Sequence, residues 1–345
     1  MAKFEKDSKG FWHTRIDYYD ENGTRHFKRF KAGSRAELAQ AVASFTAEST
    51  AQRQINNTFD KALEDFIDNR RNVLSPSTVR EYHTLRRNAY TRLRETNLDE
   101  INVRLVQQTI NDYAEEHSPK SVRNAFGLLT SFFKEVKPNL NLTSVLLPQK
   151  LITEVVIPSS EEVTRLLQAC LDYDPSIYLP ILLGAFMGLR RSEVFALTWD
   201  DINLKGGYIN INKALVKGNY GYVVKAPKSK AGYRRIDIPN IVMDYLKRHK
   251  KEPLFTYGTD SFQIRYAKLA KMIGITTSFH ALRHYYASVM LLNNVPTKYA
   301  MQRMGHATPD MLNRVYQHVF EDEQQKFTEK LDDYFDSMNV PSGKK

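Results

Sequence analysis

Apolar and polar positions alternate from Phe11 to Tyr19, the period of a strand, and Thr24 to Phe30 repeats the pattern beyond an Asn22-Gly23 pair suited to a tight hairpin turn. The period then changes. Ser34 and Glu37 form a capping box, and Leu38, Val42 and Phe45 follow at helical spacing, so a helix follows the hairpin. The polar run Glu48 to Asn57 predicts a linker. Four helices follow it. Thr58 caps the first, Ser75-Pro76 and Ser118-Pro119 each set an N-cap serine before a first-turn proline, and Asn102 caps Val103 to Tyr113. Pro138, Pro148 and Pro158 punctuate an extended connector, after which Ser159 and Glu162 form a second capping box. Beyond it, alternation in Tyr208 to Leu215, Tyr220 to Val224 and Arg235 to Ile238 predicts a β-meander. Phe327, Leu331 and Phe335 mark a helix over Glu321 to Asp336. The expected fold class is multidomain α+β. A small β-sheet plus helix occupies 1–50, an all-α bundle 58–147, and a mixed, mainly α domain with the meander 155–338.

At 345 residues with 42% hydrophobic positions, the chain is large enough for two or three such domains. Its 50 Lys and Arg outnumber 39 Asp and Glu, which favours a polyanionic partner. A lone cysteine, Cys170, excludes an internal disulfide and a multi-cysteine metal cluster, and is read as a small core residue in a reducing compartment. The first fifteen residues lack the apolar stretch of a signal peptide, and Ile177 to Met187 is far shorter than the roughly 20 residues that span a bilayer. A soluble, cytoplasmic protein with no membrane partner is therefore expected.

Three basic clusters are candidate DNA contacts. Arg15, Arg25, Lys28 and Arg29 lie on the hairpin beside Trp12, Tyr18 and Phe27, a pattern that suits either a ribbon in a DNA groove or a solvated sheet over a small core. Arg80, Arg86 and Arg87 lie on the second helix of the bundle, where a duplex-binding face and an ordinary solvated face look alike. From Lys205 to Arg235 there are eight basic residues and no Asp or Glu, and Lys225, Lys230 and Arg234 are taken from this stretch as phosphate contacts.

The chain has no P-loop, no HExxH and no GxSxG elbow. What remains is Gly188-Leu189-Arg190-Arg191-Ser192-Glu193, with Arg190 and Glu193 at i, i+3; then His280-Ala281-Leu282-Arg283-His284, Gly305-His306, and Asn313-Arg314-Val315-Tyr316-Gln317-His318. Taken singly, an Arg–Glu pair is usually a surface salt bridge, a His a packed residue and a Tyr a core residue. Their order, Arg, Lys, HxxR, GH, Tyr, resembles that of the tyrosine recombinases, specifically the integrases of phages and integrative elements. The likeness is specific over 159–318. Ahead of it, the short sheet-plus-helix unit resembles their arm-site-binding domain, and the helical block their core-binding domain.

Carried over by position, the resemblance implies that Arg190 and Arg283 are the catalytic arginines, His280 and His306 fill the histidine positions, and Tyr316 is the nucleophile. Lys228 stands at the lysine of the family's β-hairpin, with Ser229 where a threonine is usual and Lys230 two residues on. Glu193 matches the supporting acid. The residue types suit the chemistry. A phosphodiester attacked by a hydroxyl gains charge on its non-bridging oxygens, which forked guanidiniums and imidazole donors can meet without a metal or other cofactor. A phenol, with an ordinary pKa near 10, leaves phosphorus more readily than an alkoxide would, so the covalent step is reversible.

The resemblance implies DNA cleavage and rejoining through a 3′-phosphotyrosyl link, integrating or excising a mobile element at double-stranded attachment sites. It also implies a homotetramer docked through the carboxy-terminal helix, a host bending factor and an excision helper, in the cytoplasm of a prokaryotic host. Two alternatives stay open: a type IB topoisomerase-like enzyme, and a non-catalytic DNA-binding or architectural protein.

Overall fold

A computed structural model describes residues 3–19, 25–150, 156–227, 229–250, 253–305, 308, 312 and 313, with backbone only for 19 and 48–56. It divides into two compact units, 1–151 and 152–345. Both combine helices with small antiparallel sheets, as the α+β reading expected.

The first unit opens with β1 (Glu5–Lys6), β2 (Trp12–Tyr19) and β3 (Arg25–Ala32), antiparallel in that order, with Arg15 opposite Arg29 and Asp17 opposite Phe27. Residues 20–24, including Asn22-Gly23, lie outside the described residues. The capping box forms as expected: Glu37 N–H donates to Ser34 Oγ and Ser34 N–H to Glu37 Oε2. It starts α1 (Arg35–Asn56), whose Leu38 is fully buried while Phe45 meets Tyr18 and Phe30 edge-on or tilted. The expected linker at 48–57 is helix as far as Asn56. Its Glu, Ala, Gln and Arg are good helix formers, and no Gly or Pro interrupts them.

Four helices follow: α2 (Phe59–Asp68), α3 (Pro76–Asn88), α4 (Val103–Glu116) and α5 (Pro119–Val136). Asn102 and Ser118 accept from backbone N–H groups three residues on, as N-caps do. Thr58 and Ser75 occupy the other two N-cap positions without a side-chain capping bond. Phe59, Phe66, Phe132 and Phe133 interlock in the core, and Tyr90, fully buried, donates to the Ala125 carbonyl.

In the second unit, the Ser159–Glu162 capping box starts α6 (Ser160–Tyr173). The most apolar segment of the chain becomes α7 (Tyr178–Met187), buried on nearly every side. A single-turn α8 (Arg191–Val194) precedes the strands β4 (Ile202–Asn203), β5 (Tyr208–Ile211), β6 (Ala214–Gly218), β7 (Gly221–Lys225) and β8 (Arg234–Asp237). The remaining helices are α9 (Asn240–Arg248), α10 (Thr259–Met272), α11 (Phe279–Leu292) and α12 (Thr297–Met304). Cys170 is buried in the core, which pushes its thiol pKa up to about 12, and it behaves as an apolar residue there.

The strands are not one meander. Ile209 and Ile236 are fully buried and pair across β5 and β8, so these strands join β4 in the order β4-β5-β8, while β6 and β7 form a separate hairpin whose Tyr220, Val223 and Val224 are exposed. Burial of the isoleucines selects the long-range pairing over the sequential one. Among the described residues no helix is long and apolar enough to cross a membrane.

Candidate active site

The α7 helix ends at Gly188, in the left-handed conformation (φ 64°), and a Cβ there would stand 2.4 Å from the ring of Tyr286. This turn swings Arg190 into the N-cap position of α8. Its N–H donates to Glu193 Oε2 (2.9 Å) and its Nη1 to Oε1 (2.7 Å), so the i, i+3 pair of the sequence forms and also closes the helix start. The pair is not a surface salt bridge, because the Glu193 side chain is only 7% exposed.

A second guanidinium completes the carboxylate. Arg234 Nη1 and Nη2 donate to Oε1 and Oε2 of Glu193 at 3.0 and 2.9 Å, a bidentate pair with Arg234 2% exposed. Burial by itself would raise the Glu193 pKa; the hydrogen bonds and charge of Arg234, joined by Arg190, overturn this and hold it at about 2.

The third arginine comes from α11. Arg283 is buried and donates through Nη1 to the Gly188 carbonyl and through Nη2 to the Met304 carbonyl. Burial first, and then the charge of Arg190, disfavours its cation and lowers its pKa. Arg190 Nη2 reaches the Gly305 carbonyl (3.0 Å) and Arg234 Nε the Arg303 carbonyl (2.7 Å). Three consecutive carbonyls at the end of α12 therefore each hold a different arginine. A helix C-terminus suits this role, since its last carbonyls lack helical partners and carry the negative end of the dipole. Gly305 (φ 64°) ends that helix, and a Cβ on it would lie 2.9 Å from both the Ala231 carbonyl and Arg234 Nη1.

His280 and His284 stand one turn apart on α11, their rings in an edge-on contact at 4.9 Å. Loss of hydration, then the charges of Arg283 and Arg190, lower the His280 pKa. For His284, burial and then its neighbours His280 and Arg283 bring it to about 4. Two guanidiniums bind the Glu193 carboxylate and a third, that of Arg283, is held on backbone carbonyls beside them, so the cluster carries an excess of two positive charges. Arg190 is the accessible one, with 36% of its side chain exposed. Such a cluster attracts an anion with several oxygens. Among the described residues, no three His, Cys, Asp or Glu side chains group closely enough to hold a metal ion.

Arg190, Glu193, His280 and Arg283 are thus placed by the structure, the first, second and fourth bonded into one cluster. Lys228, His306 and Tyr316 lie outside the described residues, as does the expected carboxy-terminal helix.

Two expected DNA contacts need correction. Arg234 is buried on Glu193. Arg86 is tied between α2 and α3 by Asp60 (3.1 Å) and Glu64 (3.0 Å), while Arg80 and Arg87 on the same helix are exposed. Lys28 is exposed and stays a candidate contact; it lies over Phe45 of α1 (4.4 Å to the ring centre), on the opposite face of β3 from Arg25 and Arg29. On the outer sheet face Arg15 and Arg25 flank Asp17 (3.1 and 2.5 Å), and Arg15 and Arg29 both approach Phe27.

The basic stretch 205–235 also finds acids that its own sequence lacks: Lys213 meets Asp201 (2.7 Å), Lys217 meets Asp260 (2.6 Å) and Arg234 meets Glu193. Lys205 and Lys230 are exposed and Lys225 is half-buried. Sequence reasoning missed Arg303, whose guanidinium reaches the Tyr286 and Tyr299 hydroxyls and the Asp237 carbonyl. It also misplaced Arg234, although the alternation of β8 carried the signal: with Ile236 and Ile238 in the core, Arg234 must point the same way.

A family profile described as the phage integrase family matches residues 159–323. A tyrosine recombinase XerC-like protein of Caldanaerobacter subterraneus is 24% identical over 222 residues, 54% of this chain and 56% of that protein. The integrase of Staphylococcus phage L54a is 26% identical over 284 residues, 68% of this chain and 80% of that one. Among solved structures, the Tn1549 transposon integrase in complex with transposon right end DNA superposes with a TM-score of 0.64 at 20% identity, covering 79% of this chain and 99% of that chain. The chain spans about half the length of the first of these relatives. Residues 159–323, the segment that carries the arginine cluster, form a domain of the phage integrase family, the family of the tyrosine recombinases.

Proposed function

We propose that this protein is a site-specific DNA recombinase that cleaves and rejoins DNA through a 3′-phosphotyrosyl intermediate, integrating or excising a mobile element. The observation that carries the reading is the convergence of Arg190, Arg283 and Arg234 on one helix end, two of them also bound to one carboxylate, with His280 at the start of α11. The cluster holds more positive charge than its own acid neutralises. A scissile phosphate supplies the missing negative charge, and charge that develops on its oxygens during attack is met by donors already fixed in place.

In this reading Arg190, the exposed member, binds a non-bridging oxygen directly, and Arg283 raises the local potential from beneath. His280, with its pKa lowered by lost hydration and by the two arginines, is neutral at pH 7 and orients the phosphate or passes a proton. Tyr316 is the nucleophile, and its oxygen forms a bond to phosphorus as the bond to the 5′ oxygen breaks. Lys228 protonates that departing oxygen, and His306 is a further donor to the phosphate. A 5′-hydroxyl from a second duplex then attacks the phosphotyrosine, which regenerates the phenol and exchanges the strands. The chemistry needs neither metal nor nucleotide cofactor.

We assign residues 1–50 to arm-type DNA, 58–147 to the core site, and 155–338 to catalysis and docking within a tetramer on DNA, with a host bending factor and an excision helper as accessory partners. Within the first of these, Arg15, Arg25 and Arg29 share one sheet face, and they and the exposed Lys28 are the contacts retained there. Relatives that act in phages and a transposon support a prokaryotic, cytoplasmic setting.

The test is covalent capture. Wild-type protein and Tyr316→Phe are incubated with nicked fragments of the source DNA, denatured, and assayed for attached DNA. Attachment through a 3′-phosphate by wild type alone, with equal DNA affinity in both proteins, is expected. Attachment that survives Tyr316→Phe refutes the assignment of the nucleophile, and tight binding without attachment by either protein favours a purely DNA-binding role.

A further inference from the structure

We infer that Arg234 is a positioning residue for the cleavage site: it fixes where Arg190 stands, and where the chain leaves α12 toward Tyr316, without touching DNA. The inference deepens the proposed function and rests on it.

The geometry is specific. Through two donors Arg234 orients both oxygens of Glu193, and the same two oxygens orient the backbone and the guanidinium of Arg190. Through Nε it holds the Arg303 carbonyl. Strand β8 grips Arg303 a second time, because the Asp237 carbonyl accepts from Arg303 Nη2 at 3.0 Å and its carboxylate lies 3.6 Å from Nη1. Tyr286 and Tyr299 hold the rest of that guanidinium at 2.8 and 3.0 Å. Residue 303 is therefore fixed at its backbone and at its side-chain tip by residues 234 and 237 of one strand.

The next two carbonyls, Met304 and Gly305, receive Arg283 and Arg190. The Arg234 side chain lies directly beneath Gly305, close enough to exclude a Cβ. The frame that aligns the phosphate-facing arginine is thus also the root of the segment that carries the nucleophile, and one buried side chain joins the two. A lysine cannot replace it, since an ammonium lacks the planar fork that meets both carboxylate oxygens and a carbonyl together.

The experiment uses the full chain with Arg234→Lys, Arg234→Met and Arg234→Met/Glu193→Met, the last removing both members of the buried bidentate pair and so guarding against failure to fold. The signal of the Arg190 side-chain Nε–H is followed by NMR, first without ligand and then with inorganic phosphate as probe. Binding to a random-sequence duplex is measured across salt concentrations.

All three variants are expected to move the Arg190 signal before any ligand is added. Both methionine variants should weaken the phosphate response about tenfold or more, the loss of a charge-assisted hydrogen bond, and Arg234→Lys should restore it in part. Duplex binding should lose no more than the single Arg190 contact, a change in salt slope of at most about 0.9. A folded Arg234→Met with an unmoved Arg190 signal overturns the inference, as does a salt slope reduced while that signal stays unmoved, the mark of a phosphate contact made by Arg234 itself. If phosphate leaves Arg190 unperturbed in the wild type, the phosphate-site reading itself fails, while the ligand-free signal still decides the role of Arg234.

Discussion

Replacing Glu193 by Gln keeps the shape of the side chain and removes the one carboxylate that Arg190 and Arg234 share. Its cost can be worked out in two ways. Lowering this carboxyl from the ordinary 4.5 to about 2 corresponds to about 3 kcal/mol of native-state stabilisation at neutral pH. Independently, removing one partner of a buried ion pair costs about 3–5 kcal/mol, because Arg234, 2% exposed, is left charged and unpaired. The two figures agree. For a unit of this size they correspond to a fall of about 10 °C in its melting temperature. The chain has two tryptophans, Trp12 and Trp199, one in each unit, so denaturant unfolding in a Trp12→Phe background reports the catalytic unit through Trp199.

The pH dependence has a defined sign. The folded carboxyl has the lower pKa, so the unfolded chain takes up the proton first; the wild type keeps this stability above pH 4.5 and loses it as the pH falls from 4.5 toward 2. Glu193→Gln lacks that component of the acid limb. A loss below about 1 kcal/mol at pH 7, or an acid limb identical to that of the wild type, would refute the network argument.

Gly305→Ala should destabilise the catalytic unit by about 1–2 kcal/mol from its left-handed backbone alone, and lower the covalent-capture yield more than stability explains, because the new Cβ meets Arg234; a wild-type yield refutes the close packing. Exposed Lys205 and Lys230, changed to Ala, should each lower the slope of log affinity against log salt by about 0.9 if they face phosphates, whereas Lys213→Ala should leave the slope intact and reduce stability by stranding buried Asp201; the reverse pattern refutes the assignment. His284, brought to about 4 by burial and its neighbours, should show no NMR titration between pH 7.5 and 5.5, and a midpoint near 6.5 refutes its packing.

Local chemistry in the sequence determined a good part of this protein. The capping boxes at Ser34 and Ser159, the N-caps Asn102 and Ser118, and the two antiparallel hairpin strands depend on neighbours a few residues away, and they stand in the structure where the pattern placed them. The pairs Arg190–Glu193 and His280–Arg283 are short helical spacings of the same local kind, but their role was legible only through the resemblance of their order to that of the tyrosine recombinases.

What only the tertiary structure decided are the pairings between distant residues. A stretch with eight basic residues and no acid looked like an open phosphate surface, yet Asp201, Asp260 and Glu193 reach into it from elsewhere in the chain and neutralise Lys213, Lys217 and Arg234. Three strands that read as one meander separated into two sheets because Ile209 and Ile236 sought the same core. Arg86 turned inward to a carboxylate pair. A one-dimensional pattern records periodicity, and so which face a side chain takes. Which charge or ring stands on the element packed against that face depends on long-range contacts that no local window contains, and it is these contacts that gather three arginines at the last carbonyls of one helix.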